Sequence, residues 1–359
     1  MTAIRRIDVL GLRNLSNVQL LPGEGVNIFF GANGSGKTSL LEAVYYTGLG
    51  RSFRSQRVES VIQTGLDEIT VFSELFSGAT IGVTKGRSGN HILKLMGERQ
   101  SNWLPTARQL PLQLLNSDSF DLLEGSSKTR RKFLDWGVFH VEHDFSGDWR
   151  GAAKCLAQRN LLLKQRTPDK QQLEAWGAEL GSYAARIDCS RRSYITLFLP
   201  VFERTLSSLI GIPGLAVKYF RGWEDGAELV DVLNASLERD VRYGATQTGP
   251  HRADLQIRIG KSRADEILSR GQQKLVVVAL KVAQGVLLSE LTGTKVLFLV
   301  DDLPSELDKN NRKRVCELLC QLESQVFMTC VDASDLDDAW PSSICPRKFH
   351  VEHGKIRPV

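Results

Sequence analysis

The chain has 359 residues, of which 42% are hydrophobic and 24% are charged. These proportions are those of a globular protein with a sizeable core, and they exclude a collagen-like or a disordered chain. The net charge of +5 gives a mild attraction to polyanions such as nucleic acids. The six cysteines form no CxxC pair and show no zinc-finger spacing, so we expect reduced thiols and no metal site on them.

Neither the start of the chain nor its apolar runs predict a membrane protein. The first residues, MTAIRRIDVLGLRNL, alternate apolar and polar side chains, unlike a signal peptide. The most apolar runs, 276–280 and 296–300, are too short to cross a bilayer. We therefore expect a cytoplasmic protein that is neither exported nor embedded in a membrane.

The hydrophobic pattern divides the chain into three regions. Residues 1–117 predict one helix over 37–47 among short strands at 4–10, 26–30, 69–75, 80–84 and 91–96. Residues 118–243 are rich in Leu, Ala, Gln, Arg and Glu and predict an antiparallel helical hairpin, with one helix over 151–166 and a longer one starting at 167–168.

Residues 244–359 return to an α/β pattern, with strands at 255–259, 296–300 and 325–329 and helices from 271 and over 308–322. The sequence thus predicts an α/β lobe made of 1–117 plus 244–359, interrupted by a mainly helical lobe over 118–243.

A phosphate-binding loop follows the apolar strand 26–30 and precedes the predicted helix. The segment matches GxxxxGK[ST] and reads Gly31, Ala32, Asn33, Gly34, Ser35, Gly36, Lys37, Thr38. Its glycines allow successive backbone N–H groups to point at an anion. We expect Lys37 to reach the β- and γ-phosphates and the Thr38 hydroxyl to bind Mg²⁺. The loop predicts binding of ATP or GTP.

The strand at 296–300 ends in two acids, Asp301 and Asp302. Beside a phosphate-binding loop, Asp301 is expected to hold Mg²⁺ and Asp302 to position or deprotonate the attacking water. With Lys37, they form the predicted catalytic set. Aspartate is one methylene shorter than glutamate, which predicts slow hydrolysis.

The segment before the helix at 271 resembles the ABC signature LSGGQ, with arginine at the first glycine: Leu268, Ser269, Arg270, Gly271, Gln272, Gln273. Taken alone, Ser269 could be a simple helix N-cap. The order of loop, signature, acidic strand and then Ser305-Glu306-Leu307-Asp308 is similar to the order in ABC ATPases. The resemblance implies a mixed sheet with flanking helices, the ABC/SMC-type P-loop ATPase head. It also implies that Ser269, Gly271 and Gln272 contact ATP held by a second copy, so that ATP binding makes a homodimer.

Two features depart from the ABC pattern. No histidine follows the strand at 325–329, where Cys330-Val331-Asp332 stand instead, and no glutamine loop can be placed beyond the region 116–118. An ABC transporter ATPase is one alternative, but the long stretch between loop and signature disfavours it. An SMC-like ATP-gated clamp with little turnover is another. SMC-like heads carry an early Arg-Asn, as here at Arg13 and Asn14, and Arg13 is expected either at the phosphates or in a solvated turn.

Four segments resemble the RecF family of recombination mediators: 45–54 (YYTGLGRSFR), 125–135 (GSSKTRRKFLD, with Ser127 where the family has proline), 248–254 (TGPHRAD) and 299–308 (LVDDLPSELD). The resemblance implies an ATP-dependent DNA-binding dimer with slow, DNA-stimulated ATPase activity. It further implies that the dimer recognises gapped DNA, where duplex meets single strand, and works with RecO and RecR to load RecA in repair and replication restart.

Basic side chains after the first predicted helix and in the helical lobe are the candidate DNA contacts, since each can neutralise phosphates. They are Arg51, Arg54 and Arg57, then Lys128, Arg130, Arg131 and Lys132. The alternative for each is a solvated surface or a structural ion pair. No helix-turn-helix, zinc-finger or RRM pattern is present, which predicts recognition of shape and backbone rather than bases.

Overall fold

The computed structural model describes residues 2–359. Within that range the strands are β1 Ile4–Leu12, β2 Leu15–Leu20, β3 Val26–Phe30, β4 Glu68–Leu75, β5 Thr80–Gly86, β6 His91–Leu95, β7 Glu98–Arg99, β8 Leu112–Leu115, β9 Leu215–Phe220, β10 Asp254–Ile259, β11 Ser262–Arg263, β12 Leu297–Val300, β13 Val326–Cys330, β14 Arg347–Glu352 and β15 Lys355–Pro358.

The helices of the same range are α1 Lys37–Leu49, α2 Leu104–Gln109, α3 Asp121–Glu124, α4 Ser127–Val141, α5 Phe145–Leu163, α6 Lys170–Leu209, α7 Leu229–Ala235, α8 Leu237–Tyr243, α9 Ala264–Ile267, α10 Arg270–Thr292, α11 Leu303–Glu306 and α12 Lys309–Gln321. The chain forms two compact units. The first comprises 1–119, 205–210 and 274–359, and the second 120–204 and 211–273.

The first unit contains a sheet with strand order β15-β14-β3-β13-β12-β8. All neighbours except the β14–β15 pair are parallel. Strands β12 and β13 are buried at every position, because a parallel sheet is covered on both faces and needs continuous apolar runs. The carboxyl ends of β3, β12 and β13 therefore lie side by side, where loops carry ligand-binding groups in α/β sheets.

A second sheet of the first unit is antiparallel, with order β2-β1-β4-β5-β6-β7. Its strands β4 and β5 alternate buried and less buried residues, as expected when one face meets the core. Helix α1 buries Leu40, Leu41 and Val44 in one hydrophobic cluster with residues of both sheets. The phosphate-binding loop that precedes α1 is thereby anchored in the core.

The second unit holds the predicted helical hairpin. Helices α5 and α6 run antiparallel, since Asp148 pairs with Arg186 and Gly151 lies against Tyr183. The unit also contains the antiparallel sheet β11-β10-β9.

The two compact units differ from the predicted division at its second boundary and at 205–210, which the sequence assigned to the helical lobe but which belong to the first unit. The sequence assigned 244–273 to the ATPase lobe, but these residues belong to the second unit. The reason is that β10 pairs with β9 along its whole length instead of joining either large sheet.

Helix α10 is long and apolar enough to cross a membrane by length and composition, and 67% of its most apolar window is buried in the protein. The apolar run 276–280 is by itself too short to cross a bilayer, but it is part of a 23-residue helix. Leu275, Val276, Val277, Ala279 and Leu280 are almost fully buried, as in a core helix.

Candidate functional site

A cavity of about 660 Å³ opens beside the phosphate-binding loop in the first unit. Its volume is in the range of small-molecule sites. Loop residues and both acids line it, together with the side chains of Arg13, Asn14, Arg54, Ile62, Gln63, Thr64, Ser117 and Thr329. The structure therefore brings together the predicted loop, the acidic strand end and Arg13.

The phosphate-binding loop adopts a conformation that requires glycine. Gly31 and Gly36 have φ of 148° and 118°, and a Cβ on Gly31 would lie 2.2 Å from the carbonyl oxygen of Val351. Lys37 Nζ donates to the carbonyl oxygens of Gly31 at 2.6 Å and Ala32 at 3.0 Å. Burial lowers the pKa of Lys37, while the charge of Asp302 opposes that effect. The amine is thus held across the loop at the floor of the cavity.

Asn14 fastens the loop to the turn after β1. Its amide nitrogen donates to the carbonyl of Gly34 at 3.1 Å, and its amide oxygen accepts from the Ser39 hydroxyl at 3.0 Å. The backbone N–H of Gly354, between β14 and β15, donates to the carbonyl of Ser35 at 2.8 Å. These contacts fix the loop from both sides.

The two acids meet the loop at the carboxyl end of β12. Thr38 Oγ1 donates to Asp301 Oδ1 at 3.0 Å, which joins the two predicted Mg²⁺ ligands. Asp302 follows with φ of 54°, an unusual left-handed conformation for a residue other than glycine. Its Oδ2 accepts from the Ser305 hydroxyl at 2.6 Å, so the first residue of the segment 305–308 contacts the predicted water-positioning acid.

Two arginines on the cavity wall share one buried carboxylate. Glu42 of α1 has a fully buried side chain and accepts from Arg13 Nε at 2.9 Å and Nη2 at 3.0 Å. Arg54 Nη1 lies 3.9 Å from Glu42 Oε2, and the Ser52 hydroxyl donates to the same carboxylate. Arg13, in the turn after β1, is therefore held by an ion pair with Glu42, and Arg54, predicted as a DNA contact, lines the same cavity.

The phosphate-binding loop and the acidic strand end hold buried polar atoms that suit a bound phosphate and cation. Ser35 Oγ and Asp302 Oδ1 are buried and bond no other described group, and such atoms in a native fold call for a partner. Within residues 2–359, no cluster of three His, Cys, Asp or Glu could hold a metal alone. A Thr–Asp pair beside a phosphate loop fits Mg²⁺, which is held by one or two protein groups together with substrate phosphates.

The signature segment lies in the second unit, at the start of α10. Ser269 and Gln272 form a reciprocal cap, with Ser269 N–H donating to Gln272 Oε1 at 2.9 Å and Gln272 N–H donating to Ser269 Oγ at 3.3 Å. Ser269, Arg270 and Gly271 are exposed, and Arg270 pairs with Glu124. The serine is thus a helix cap that also presents a hydroxyl and free backbone donors at the protein surface.

Comparison with known proteins shows which family this chain resembles. A family model described as the RecF/RecN/SMC N terminal domain matches residues 3–345. The DNA replication and repair protein RecF of Pseudomonas entomophila (strain L48) is 50% identical over 358 residues, which are 99% of this chain and 98% of that protein. RecF of Stutzerimonas stutzeri (strain A1501) is 49% identical over 99% of this chain and 97% of that protein.

The chain belongs to the RecF family. A solved structure described as the recombination mediator protein RecF-ATP in the RecFOR pathway matches with a TM-score of 0.87 and 26% identity, over 99% of this chain and 97% of that one. An Smc head bound to the C-winged helix domain of ScpA matches with a TM-score of 0.62 and 16% identity, over 99% and 97%, and shows the fold alone. The fold is that of an ABC/SMC-type P-loop ATPase head, as the sequence predicts.

Two RecF-family segments, 125–135 and 248–254, bind each other inside the second unit. Arg130 donates to Asp254, Arg131 Nη1 donates to the carbonyl of Ala253 at 2.7 Å, and Asp135 pairs with the buried Arg191. Arg191 Nη1 in turn donates to the carbonyl of Pro250 at 3.0 Å.

The prediction that Arg130 and Arg131 contact DNA therefore meets a structural alternative, since both guanidinium groups already have partners within the chain.

The remaining basic candidates of this RecF-family chain differ in accessibility. Arg51, Arg57 and Lys128 are exposed, and none of them forms an ion pair with another residue in the described range. Lys132 is exposed but interacts within the chain. Arg51, Arg57 and Lys128 stay candidates for phosphate contacts.

Three residues at the site were not predicted from the sequence, although each has a weak sequence signal. Glu42 is a lone acid in the apolar run Leu40–Val44 of a core helix. Thr329 is a polar residue near the end of the fully buried strand β13. Ser117 lies two residues after the end of β8, within 116–118, the region beyond which no glutamine loop can be placed in the sequence.

Proposed function

We propose that this chain is an ATP-dependent DNA-binding recombination mediator. It binds ATP with Mg²⁺, pairs with a second copy around the nucleotide, and in that state recognises gapped duplex DNA or a junction of duplex and single strand. With RecO and RecR it promotes loading of RecA in recombinational repair and replication restart, in the cytoplasm.

The observation that carries the proposal is the cavity in which the phosphate-binding loop, Thr38 and Asp301 meet. Lys37 would leave the loop carbonyls for the β- and γ-phosphates, since a phosphate is a stronger partner for an ammonium group than a carbonyl. Arg13 and Arg54 share the Glu42 carboxylate, so these three groups together add one net positive charge to the wall. Mg²⁺ on Thr38 and Asp301 would neutralise phosphate charge.

Slow hydrolysis is part of the proposal. Asp302 Oδ1 is the buried oxygen without a partner among the described groups, and it could accept a proton from water near the γ-phosphate. Cys330 stands where ABC ATPases carry a histidine, and burial raises the pKa of its thiol to about 12. That thiol therefore stays neutral and cannot supply the missing charge.

The exposed signature serine supports pairing. Ser269 directly precedes the 23-residue helix α10, whose N-terminus has free backbone donors suited to a phosphate. If that phosphate belongs to ATP bound by a second copy, nucleotide binding and dimerisation become one equilibrium. Hydrolysis then releases the dimer. Because the DNA-binding surface is complete only in the dimer, DNA affinity would follow the nucleotide state.

The test is the affinity for a gapped duplex with and without ATP and Mg²⁺, measured by fluorescence anisotropy over a salt series. We expect tighter binding with ATP for the natural chain and no ATP effect for Lys37→Ala. A phosphate-release assay with and without DNA distinguishes a DNA-stimulated ATPase from a clamp with incidental turnover. Equal DNA affinities of the natural chain in both nucleotide states contradict the proposal.

A further inference from the structure

Thr329 lies where the two acids of the cavity meet the central sheet. It is the fourth residue of β13, the parallel neighbour of β12, and its side chain is 1% exposed. The same residue lines the cavity beside the phosphate-binding loop. It therefore touches the site from within the sheet and not from a loop.

The hydroxyl of Thr329 bonds both acids at once. Thr329 Oγ1 lies 2.7 Å from Asp301 Oδ1 and 2.9 Å from the backbone nitrogen of Asp302. A backbone N–H can only donate, so the hydroxyl oxygen accepts there and its single hydrogen is directed to Asp301. The neighbouring groups thus determine that the Thr329 hydroxyl accepts from the Asp302 amide and donates to the Asp301 carboxylate.

This arrangement determines which carboxylate oxygen of Asp301 is occupied. Oδ1 accepts from both Thr329 and Thr38. No hydrogen bond from the described residues reaches Oδ2, so that oxygen stays free for a cation. A second partner that orients a metal-binding carboxylate in this way commonly changes metal affinity by about 10- to 100-fold.

The second bond supports the backbone of Asp302. Its φ of 54° is unfavourable for a residue other than glycine and persists only where the surroundings hold it. The Thr329 hydroxyl satisfies the Asp302 amide in this conformation, and the Ser305 hydroxyl holds Oδ2 of the same residue. The remaining oxygen, Oδ1, is buried and bonds no described group.

We propose that Thr329 is a positioning residue that orients Asp301 toward Mg²⁺ and holds Asp302 in its water-binding conformation. The inference rests on the proposed nucleotide site and deepens it. Thr329 directly precedes Cys330, at the strand end where ABC ATPases carry their histidine. In this chain, a buried hydroxyl thus anchors the acids at a strand end that lacks that histidine.

The experiment measures ATPγS affinity by calorimetry, in Mg²⁺ and in EDTA, for the natural chain and for Thr329→Val, Thr329→Ala and Thr329→Ser. Valine has the shape of threonine without the hydroxyl. Alanine controls for a packing defect specific to valine, and serine retains the hydroxyl. We expect Mg²⁺ to tighten ATPγS binding in the natural chain and in Thr329→Ser. In Thr329→Val and Thr329→Ala this Mg²⁺-dependent gain falls by about 10-fold or more, while affinity in EDTA is unchanged.

Other outcomes overturn the inference in distinguishable ways. A Mg²⁺-dependent gain that survives in Thr329→Val or Thr329→Ala contradicts the positioning role and leaves the nucleotide site intact. Equal losses in Mg²⁺ and in EDTA assign Thr329 a packing role only. Absence of ATPγS binding by the natural chain contradicts the proposed function itself. Circular dichroism of each variant establishes that folded protein is compared.

Discussion

Arg130 donates two hydrogen bonds to Asp254, from Nε to Oδ1 at 2.8 Å and from Nη2 to Oδ2 at 3.1 Å. The side chains are 12% and 18% exposed, so the pair is largely removed from water. The bond joins the start of α4 to the first residue of β10, across 124 positions of sequence. A guanidinium bound in this fork geometry is a structural group of the second unit, not a free cation at its surface.

We therefore expect Arg130→Ala to lower the free energy of unfolding of the second unit by about 1–3 kcal/mol. Asp254→Ala should have a similar effect, and the double variant should lose less than the sum of the two. Urea unfolding measures all three. Lys128→Ala, two residues earlier and exposed, is the control, with no expected change. Loss of DNA affinity in Arg130→Ala at unchanged stability would restore Arg130 as a DNA contact.

Glu42→Gln should destabilise the first unit. The side chain is fully buried and neutralises Arg13, whose own side chain is 22% exposed; removing one charge of such a pair leaves the other without compensation. We expect a loss of about 2–4 kcal/mol in unfolding free energy, measured in urea. Glu74→Gln removes the exposed pair with Arg5 and should change stability by less than about 0.5 kcal/mol. Equal effects of the two substitutions would contradict this assignment.

Ser269→Ala should separate nucleotide binding from pairing. The serine lies in the second unit, away in sequence from the phosphate-binding loop, so ATPγS affinity at low protein concentration should stay within about threefold of the natural value. The dimer dissociation constant in sedimentation with ATP should rise by about 10-fold, corresponding to about 1.4 kcal/mol of one lost phosphate contact. Ser182→Ala, at an exposed position of α6, should pair normally. If Ser269→Ala also pairs normally, ATP is not shared between two copies through this serine.

The protein should lose stability between pH 6.5 and pH 4 in part through His251. Burial lowers the pKa of His251 to about 4, its Nδ1 bonds no described group, and its Nε2 contacts the carbonyl of Thr246 at 3.0 Å. The unfolded chain takes up a proton near pH 6.5, whereas the folded chain does not until near pH 4. This contribution is therefore complete above pH 6.5 and is lost as the pH falls.

His251→Gln, which cannot titrate, should show a smaller drop in unfolding free energy from pH 7.5 to pH 4.5, by about 2 kcal/mol. Urea unfolding at the two pH values measures the difference, and His353→Gln, in the exposed turn before β15, is the control. An identical pH dependence in His251→Gln and the natural chain would show that His251 titrates alike in both states.

The parts of the fold that local pattern determines could be predicted from sequence. Strand β3 was placed at its observed bounds, and α1, β12, α12 and β13 within one or two residues, because glycines, an N-cap aspartate and continuous apolar runs mark their ends. The strands that the sequence does not predict are β2, β7, β8, β9, β11, β14 and β15. Strand β8 has only four residues and pairs with β12, which lies far away in sequence, so its position depends on a partner that local pattern does not reveal.

The candidate site likewise has parts that the local sequence predicts and parts that it does not. The order of the recognisable motifs along the chain implies that Lys37, Thr38 and Asp301 meet in one site. The ion pair of Arg130 with Asp254 joins two motifs that the sequence presents as separate. Charge alone indicated a surface role for Arg130, because the burial that changes this role arises only when α4 packs against β10.

Sedimentation velocity of the natural chain with and without ATP and Mg²⁺ tests the central claim most directly, with Lys37→Ala as the matched control. The account predicts a monomer without nucleotide, a dimer with ATP, and a monomer in both conditions for Lys37→Ala. A natural chain that binds ATP yet sediments as a monomer at every protein concentration, or a Lys37→Ala variant that dimerises on adding ATP, would contradict it.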